Sequence, residues 1–261
     1  MKLKIFQIDA FSDKVFKGNP ACVIPLDKWL EDGLLLNIAK ENCVAETAFF
    51  VKKEDEFELR WFTPEQEMDL CGHATLATAH CLFKELDYEK DQIHFTTQSG
   101  KLIVQKKDGL YQMKLPNRKP LPHLLPTQIE KSLNIQPKEV LKSRDYVLVY
   151  GSEEDIKNIK INQVEFDKIN LQTGGVIVTA KGRKYDFVSR FFTPQASILE
   201  DPVTGSAHCS LVPYWAKKLN KNKFKAKQLS ERKGVLYCEL NNNIVYVSGK
   251  ACTYLIGEIV I

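Results

Sequence analysis

Residues 60–64 read Arg-Trp-Phe-Thr-Pro, and residues 190–194 read Arg-Phe-Phe-Thr-Pro. Each string closes an apolar run with strand character and stops at a proline, which cannot continue a central strand. Downstream of each comes Gly-x-Ala, as Gly72-His73-Ala74 and as Gly205-Ser206-Ala207. Both glycines open apolar, small-residue-rich stretches, Gly72 to Leu86 and Gly205 to Leu219, which the spacing predicts to be buried helices. The interval between Thr-Pro and glycine differs by three residues, which a loop absorbs at little entropic cost. Two blocks matched in the same order predict a duplication. Duplicated domains tend to pack about a pseudo-twofold axis, so the two helix starts are expected to face each other across a cleft.

Strand patterns flank these blocks at Lys2 to Ala10, Ala21 to Pro25, Thr47 to Val51 and Glu56 to Phe62, and again at Gly175 to Thr179 and Asp186 to Phe192. Apolar residues at helical spacing run from Trp29 to Ala39. Ser152, with an acid three residues on, predicts a capped helix through Ile159. Pro116, Pro120, Pro122 and Pro126 fall close together. Such density suits neither a helix nor a central strand, so the linker is placed at about 116–126. The expected domains are residues 1–116 and 127–252, with strand 253–261 available to complete the first.

Length and composition fit a soluble globular protein of one large domain or two ordinary ones, at 261 residues, 44% hydrophobic and 27% charged. The formal net charge of +4 is too mild to call for nucleic acid. The lysine run from Lys217 to Lys227 reads as a solvated helix end and loop. The seven cysteines include no Cys-x-x-Cys, so neither a zinc site nor a disulfide framework is expected, and free thiols suit a reducing compartment. The first residues lack a signal-peptide pattern, and no apolar stretch is long enough to span a membrane. A cytoplasmic protein without membrane or nucleic-acid partners is the expectation.

A helix N-terminus offers unpaired N–H groups and a partial positive charge, so Gly72 and Gly205 are candidate sites for an anion. Around them stand His73, Ser206 and Asp201; capping alone would explain either of the last two, but the string Glu200-Asp201-Pro202-Val203-Thr204-Gly205-Ser206 is richer than a cap needs. Glu46 lies among apolar neighbours, where burial of a charge is expensive and can raise a carboxyl pKa. Aligning the Thr-Pro blocks sets Val176 opposite Glu46, so the acid belongs to one half only. Such a glutamate can take a proton from one carbon and return it to another while histidine and serine orient the substrate and the helix ends hold developing charge. The plain alternative is an exposed glutamate at a strand end.

These strings, with Ile8-Asp9-Ala10-Phe11, Gly18-Asn19-Pro20, Glu46-Thr47 and Cys71-Gly72-His73-Ala74-Thr75, resemble the phenazine-biosynthesis PhzF-like family, which shares the diaminopimelate epimerase fold. The resemblance implies an α+β fold of two similar domains, each a curved, mostly antiparallel sheet wrapped around a central helix. It implies a homodimer, no metal and no organic cofactor. It also implies Glu46 as general acid/base, with His73, Asp201 and Ser206 in the catalytic set and Gly72, Thr204 and Gly205 binding a small carboxylate substrate. The expected activity is a cofactor-independent isomerase that moves a proton.

Cys71 opens a second possibility. Related epimerases and racemases carry a catalytic cysteine just before the first glycine, but they need two opposed thiols, and the repeat sets Thr204 opposite Cys71. A one-thiol dehydratase stays open beside the plain reading of Cys71 as a small buried residue. A third possibility is a small-acid binding protein without catalysis. His80, His94, His123 and His208 form no spacing that suggests a metal.

Overall fold

A computed structural model describes all 261 residues and divides them into two units, Met1–Lys114 with Ser248–Ile261, and Leu115–Val247. The proline-rich stretch belongs to the second unit, where Leu121–Pro122 pairs with Leu141 and Lys142.

In the first unit the period-two patterns become a sheet in the order Ala251–Val260, Lys2–Ala10, Asn19–Leu26, Glu46–Lys53, Glu56–Phe62, Gln92–Thr97, Gly100–Lys107 and the strand beginning at Leu110. Only two neighbouring pairs are parallel, 19–26 with 46–53 and 56–62 with 92–97. Parallel neighbours need a crossover, and helices supply both. Helix Asp32–Asn42 makes the first, three residues later than the expected start, because Trp29 lies outside it and donates from Nε1 to Glu58 Oε2 at 2.6 Å. Helix Gly72–His80 lies on the second and packs on strands 2–10, 19–26, 46–53 and 251–260. All nine of its residues are buried. Its glycine, alanines and threonines are small enough to let strands close around a helix backbone. The expected run to Leu86 continues as a π-turn over Cys81–Glu85, with Leu86 N–H donating to Cys81 O at 3.0 Å.

The second unit repeats the plan. Its sheet runs Glu139–Lys142, Tyr146–Val149, Val176–Lys181, Phe187–Phe192, Lys223–Gln228 and Gly234–Asn241, with parallel pairs at 146–149/176–181 and 187–192/223–228. Ser152 and Asp155 form the reciprocal cap expected ahead of helix Glu153–Asn158. The core joins Leu148, Phe166, Val178, Val188 and Phe192 among others. Helix His208–Leu219 packs its Trp215 ring parallel to Phe187, centroids 5.7 Å apart.

Two expectations need correction. The second helix begins at His208, not Gly205. Residues 205–207 form a tighter turn, with His208 N–H donating to Gly205 O and Cys209 N–H to Ser206 O, each at 3.1 Å. The Thr204 carbonyl, which an α-helix would offer to His208 N–H, is within 3.0 Å of His208 Nδ1 instead. The equivalence of Glu46 with Val176 also fails. Phe62 pairs with Thr47, whereas Phe192 pairs with Val176. The position equivalent to Glu46 is therefore Gly175, because the second hairpin turn differs in length by one residue. Glycine carries no acid, so the asymmetry between the halves stands.

Candidate active site

Cys43 ends helix 32–42 in the left-handed conformation, φ 51°, and turns the chain into strand Glu46–Lys53. Hydrogen-bond pairing with Ala21 in the parallel neighbour fixes the first residue of that strand, Glu46. Asn42 Nδ2 donates to Thr47 Oγ1 at 3.1 Å and ties the turn to the strand. The Glu46 carboxylate is thereby held 3.1 Å from Nε2 of His73, the second residue of the buried helix. The two side chains are 16% and 4% exposed, so bulk water screens the pair poorly. The His73 Nε2–Glu46 separation suits an ion pair, although the direction is off-line for a hydrogen bond.

The other ring nitrogen of His73, Nδ1, lies 3.5 Å from Cys71 Sγ. Burial opposes charge on His73, but the Cys71 sulfur and the Glu46 carboxylate outweigh it and hold the imidazole well above its ordinary range. Burial, reinforced by the Glu46 charge, pushes the Cys71 thiol up to about 11. His73 thus stands between Cys71 and Glu46, one ring nitrogen towards each. Their ligand atoms lie within 4.8 Å of one another, a spacing a cation could use. Because His73 turns one nitrogen to each neighbour, it links the other two electrostatically rather than sharing a coordination point with them.

In the second unit, the arginines of the repeat anchor the equivalent turn. Arg190 reaches Glu200 through Nε and Nη2, both at 2.7 Å, as Arg60 reaches Glu67 through the same two atoms at 2.7 Å. The three extra residues noted above lie between Thr193 and Glu200. Thr193 N–H donates to Leu199 O there, where Thr63 N–H donates to Gln66 O, both at 2.9 Å. Glu200 fixed in this way places Asp201 next to it, paired across to Phe191. The Asp201 carboxylate accepts from Thr204 Oγ1. Thr204 N–H donates to Gln228 Oε1 at 2.9 Å, and Gln228 Nε2 donates to Asp201 O at 2.7 Å. Ser206 Oγ accepts from Arg144 Nη2 at 3.1 Å.

The structure thus brings Glu46, Cys71, Gly72 and His73 together in the first unit, and Asp201, Thr204, Gly205 and Ser206 together in the second. Sequence reading missed Gln228 and Arg144. Gln228 is wholly buried at the end of a strand whose lysines suggested a solvated loop; one amide closing such a run is the only signal. Nothing local in the sequence marks Arg144. His208 is a packing residue. It is buried against Phe187, centroids 5.8 Å apart, and burial lowers its pKa to about 4.

The model of the phenazine biosynthesis-like protein family matches residues 8–257. An uncharacterised isomerase of Pseudomonas aeruginosa is 46% identical over 99% of both chains. Crystal structures of PhzF-family proteins from Enterococcus faecalis and Clostridium difficile are 44% and 45% identical, with TM-scores of 0.95 and 0.92 and coverage of 99% or more of each chain. A hydroxyproline epimerase from Agrobacterium vitis, at 8% identity and a TM-score of 0.65 over 99% of this chain and 92% of its own, shares the fold. With the family matched across nearly the whole length and its motifs gathered in two clusters, the chain belongs to the phenazine biosynthesis-like family and is an isomerase.

Proposed function

We propose that the chain is a cofactor-independent isomerase that moves a proton between two carbons of a small carboxylate-bearing substrate, with Glu46 as the general acid/base. The carrying observation is the 3.1 Å approach of His73 Nε2 to Glu46 Oε2 in a site nearly closed to water. The Glu46 carboxylate takes a proton from carbon and becomes the acid. The electron pair left behind moves through the substrate's conjugated system. The acid then returns the proton to a second carbon, so the enzyme ends as it began. The His73 imidazolium steadies the carboxylate when charged and the developing anion when Glu46 is protonated. Backbone N–H groups at Gly72 and His73 precede any intrahelical acceptor and suit an oxyanion. Substrate contact by Asp201, Thr204, Gly205 and Ser206, cytoplasmic location and assembly as a homodimer are parts of the same proposal.

Incorporation of deuterium from heavy water into a turning-over or exchanging ligand tests it. Wild type should label the ligand at carbon and Glu46→Gln should not; equal labelling by both would remove Glu46 from the role.

One observation favours a second reading. Cys71 Sγ sits 3.5 Å from His73 Nδ1, as an acid or base of a dehydratase or epimerase would. Two features weigh against it. The thiol is pushed up to about 11 by burial, and Thr204, not a second cysteine, occupies the equivalent position. Inactivation by iodoacetamide that substrate prevents would favour the thiol.

A further inference from the structure

We infer that Arg118 and Ser206 form a carboxylate-binding subsite in the second unit, buttressed by the Arg144–Asp145 pair. The inference rests on the isomerase reading only in identifying the ligand as the substrate's acid group; the site itself is argued from the second unit alone.

Arg144 grips the buried Asp145 through Nε and Nη2 at 3.0–3.3 Å. Asp145 Oδ1 also accepts from Gly175 N–H at 3.0 Å, so this ion pair is fixed and electrically closed. Arg144 Nη2 also donates to Ser206 Oγ at 3.1 Å. A hydroxyl that accepts from a guanidinium has its own proton left to donate. Ser206 is thus oriented as a donor.

Arg118 is different. Its backbone N–H donates to Cys209 O at 3.0 Å, which pins residue 118 to the start of helix 208–219. Its guanidinium makes no ion pair, and its Nη1 is fully buried without a hydrogen-bond partner. The charges of both Arg118 and Arg144 act on the Cys209 sulfur, where they offset part of the rise caused by burial. The Arg118 backbone bond to Cys209, the Cys209 N–H bond to Ser206 O and the Arg144 bond to Ser206 Oγ bring both arginines to the first turn of that helix. Arg144 is neutralised by Asp145; Arg118 is not. A buried guanidinium N–H without an acceptor is costly, and a planar carboxylate offers a guanidinium two matched acceptors.

The test is equilibrium titration calorimetry with sodium succinate and its neutral isostere succinamide, at fixed ionic strength. The proteins are wild type, Arg118→Met, Arg118→Lys, Ser206→Ala and Glu46→Gln. Succinate should bind wild type, and succinamide should not. Arg118→Met should weaken succinate about tenfold or more, and Arg118→Lys should weaken it less, because the charge stays while the fork is lost. Ser206→Ala should weaken it about threefold to tenfold. Undiminished binding by folded Arg118→Met, or no wild-type binding up to about 50 mM, overturns the subsite. Should Arg118→Met fail to fold, undiminished binding by Arg118→Lys together with Ser206→Ala overturns it equally. Loss of solvent exchange in Glu46→Gln with succinate binding indifferent to Arg118 would sink this inference and leave the isomerase reading standing.

Discussion

Arg190 holds Glu200 with two N–O contacts of 2.7 Å, and its Nη1 also donates to the carbonyl oxygens of Ile156 and Ile159 at 3.2 and 2.8 Å. One side chain thus ties strand Phe187–Phe192, the end of helix Glu153–Asn158 and the residue preceding Asp201. The pair is only 14% and 23% exposed, so removing one partner strands the other in a poorly solvated place. Arg190→Met should lower unfolding stability by about 2–4 kcal/mol, read from urea denaturation. Unchanged stability would mean that water replaces the contact freely.

Glu46→Gln keeps volume and removes the proton-transfer group. Turnover should fall by roughly 10²–10⁴, the range that general acid/base groups contribute, with a melting temperature close to wild type. Steady-state kinetics on a genuine substrate and a thermal scan check both parts. His73→Asn should also reduce kcat, measured in the same assay.

The histidines predict opposite pH dependences. His73 is held above its ordinary value, so the folded state binds its proton more tightly than the unfolded chain does. Its contribution is complete below an unfolded pKa of about 6.5 and is lost as pH rises through the higher folded value. His208 is lowered to about 4 by burial, so the unfolded chain binds its proton more tightly. Its contribution is complete above about 6.5 and disappears as pH falls towards 4, to the extent of about 3 kcal/mol. Denaturation curves of wild type and His73→Asn across the neutral-to-alkaline range should diverge most at low pH and converge as pH rises. A constant gap would refute the linkage.

Cys71 is 5% exposed, with its thiol pushed up to about 11. At pH 8 its alkylation should be at least tenfold slower than that of exposed Cys43, measured by mass spectrometry after timed iodoacetamide treatment. Cys71→Ala should retain most turnover if Glu46 alone handles the proton. A loss comparable to that of Glu46→Gln would shift the chemistry to the sulfur.

Much of the architecture was legible because it depends on local pattern. Period-two runs became strands, small apolar runs after Gly72 and Gly205 became buried helices, and Ser152 with Asp155 became a reciprocal cap. That Glu46 stands apart was foreseeable from the anomaly of a carboxylate in an apolar strand, but which side chain it meets was not. What escaped were features set by one residue of register or by long-range partners. Gly175 stands in for Glu46 only because a hairpin turn differs by one residue, and no alignment on Thr-Pro can see that. The turn at 205–207 is tightened by His208 competing for the Thr204 carbonyl, a contact between a side chain and its own helix start.

The amino-acid sequence by itself determined the duplication, the paired small-residue helices and the presence of one asymmetric acid, since composition, periodicity and repeated strings are properties of the chain. Tertiary structure alone decided that Glu46 meets His73, that Gln228 braces Thr204 and Asp201, and that Arg118 keeps an unanswered charge. Those relations join residues 27 to 24 positions apart, or depend on the absence of a partner anywhere in the chain. Ionic and hydrogen-bonding energies depend on ångström-scale distance and on local burial, and neither is written in the order of residues.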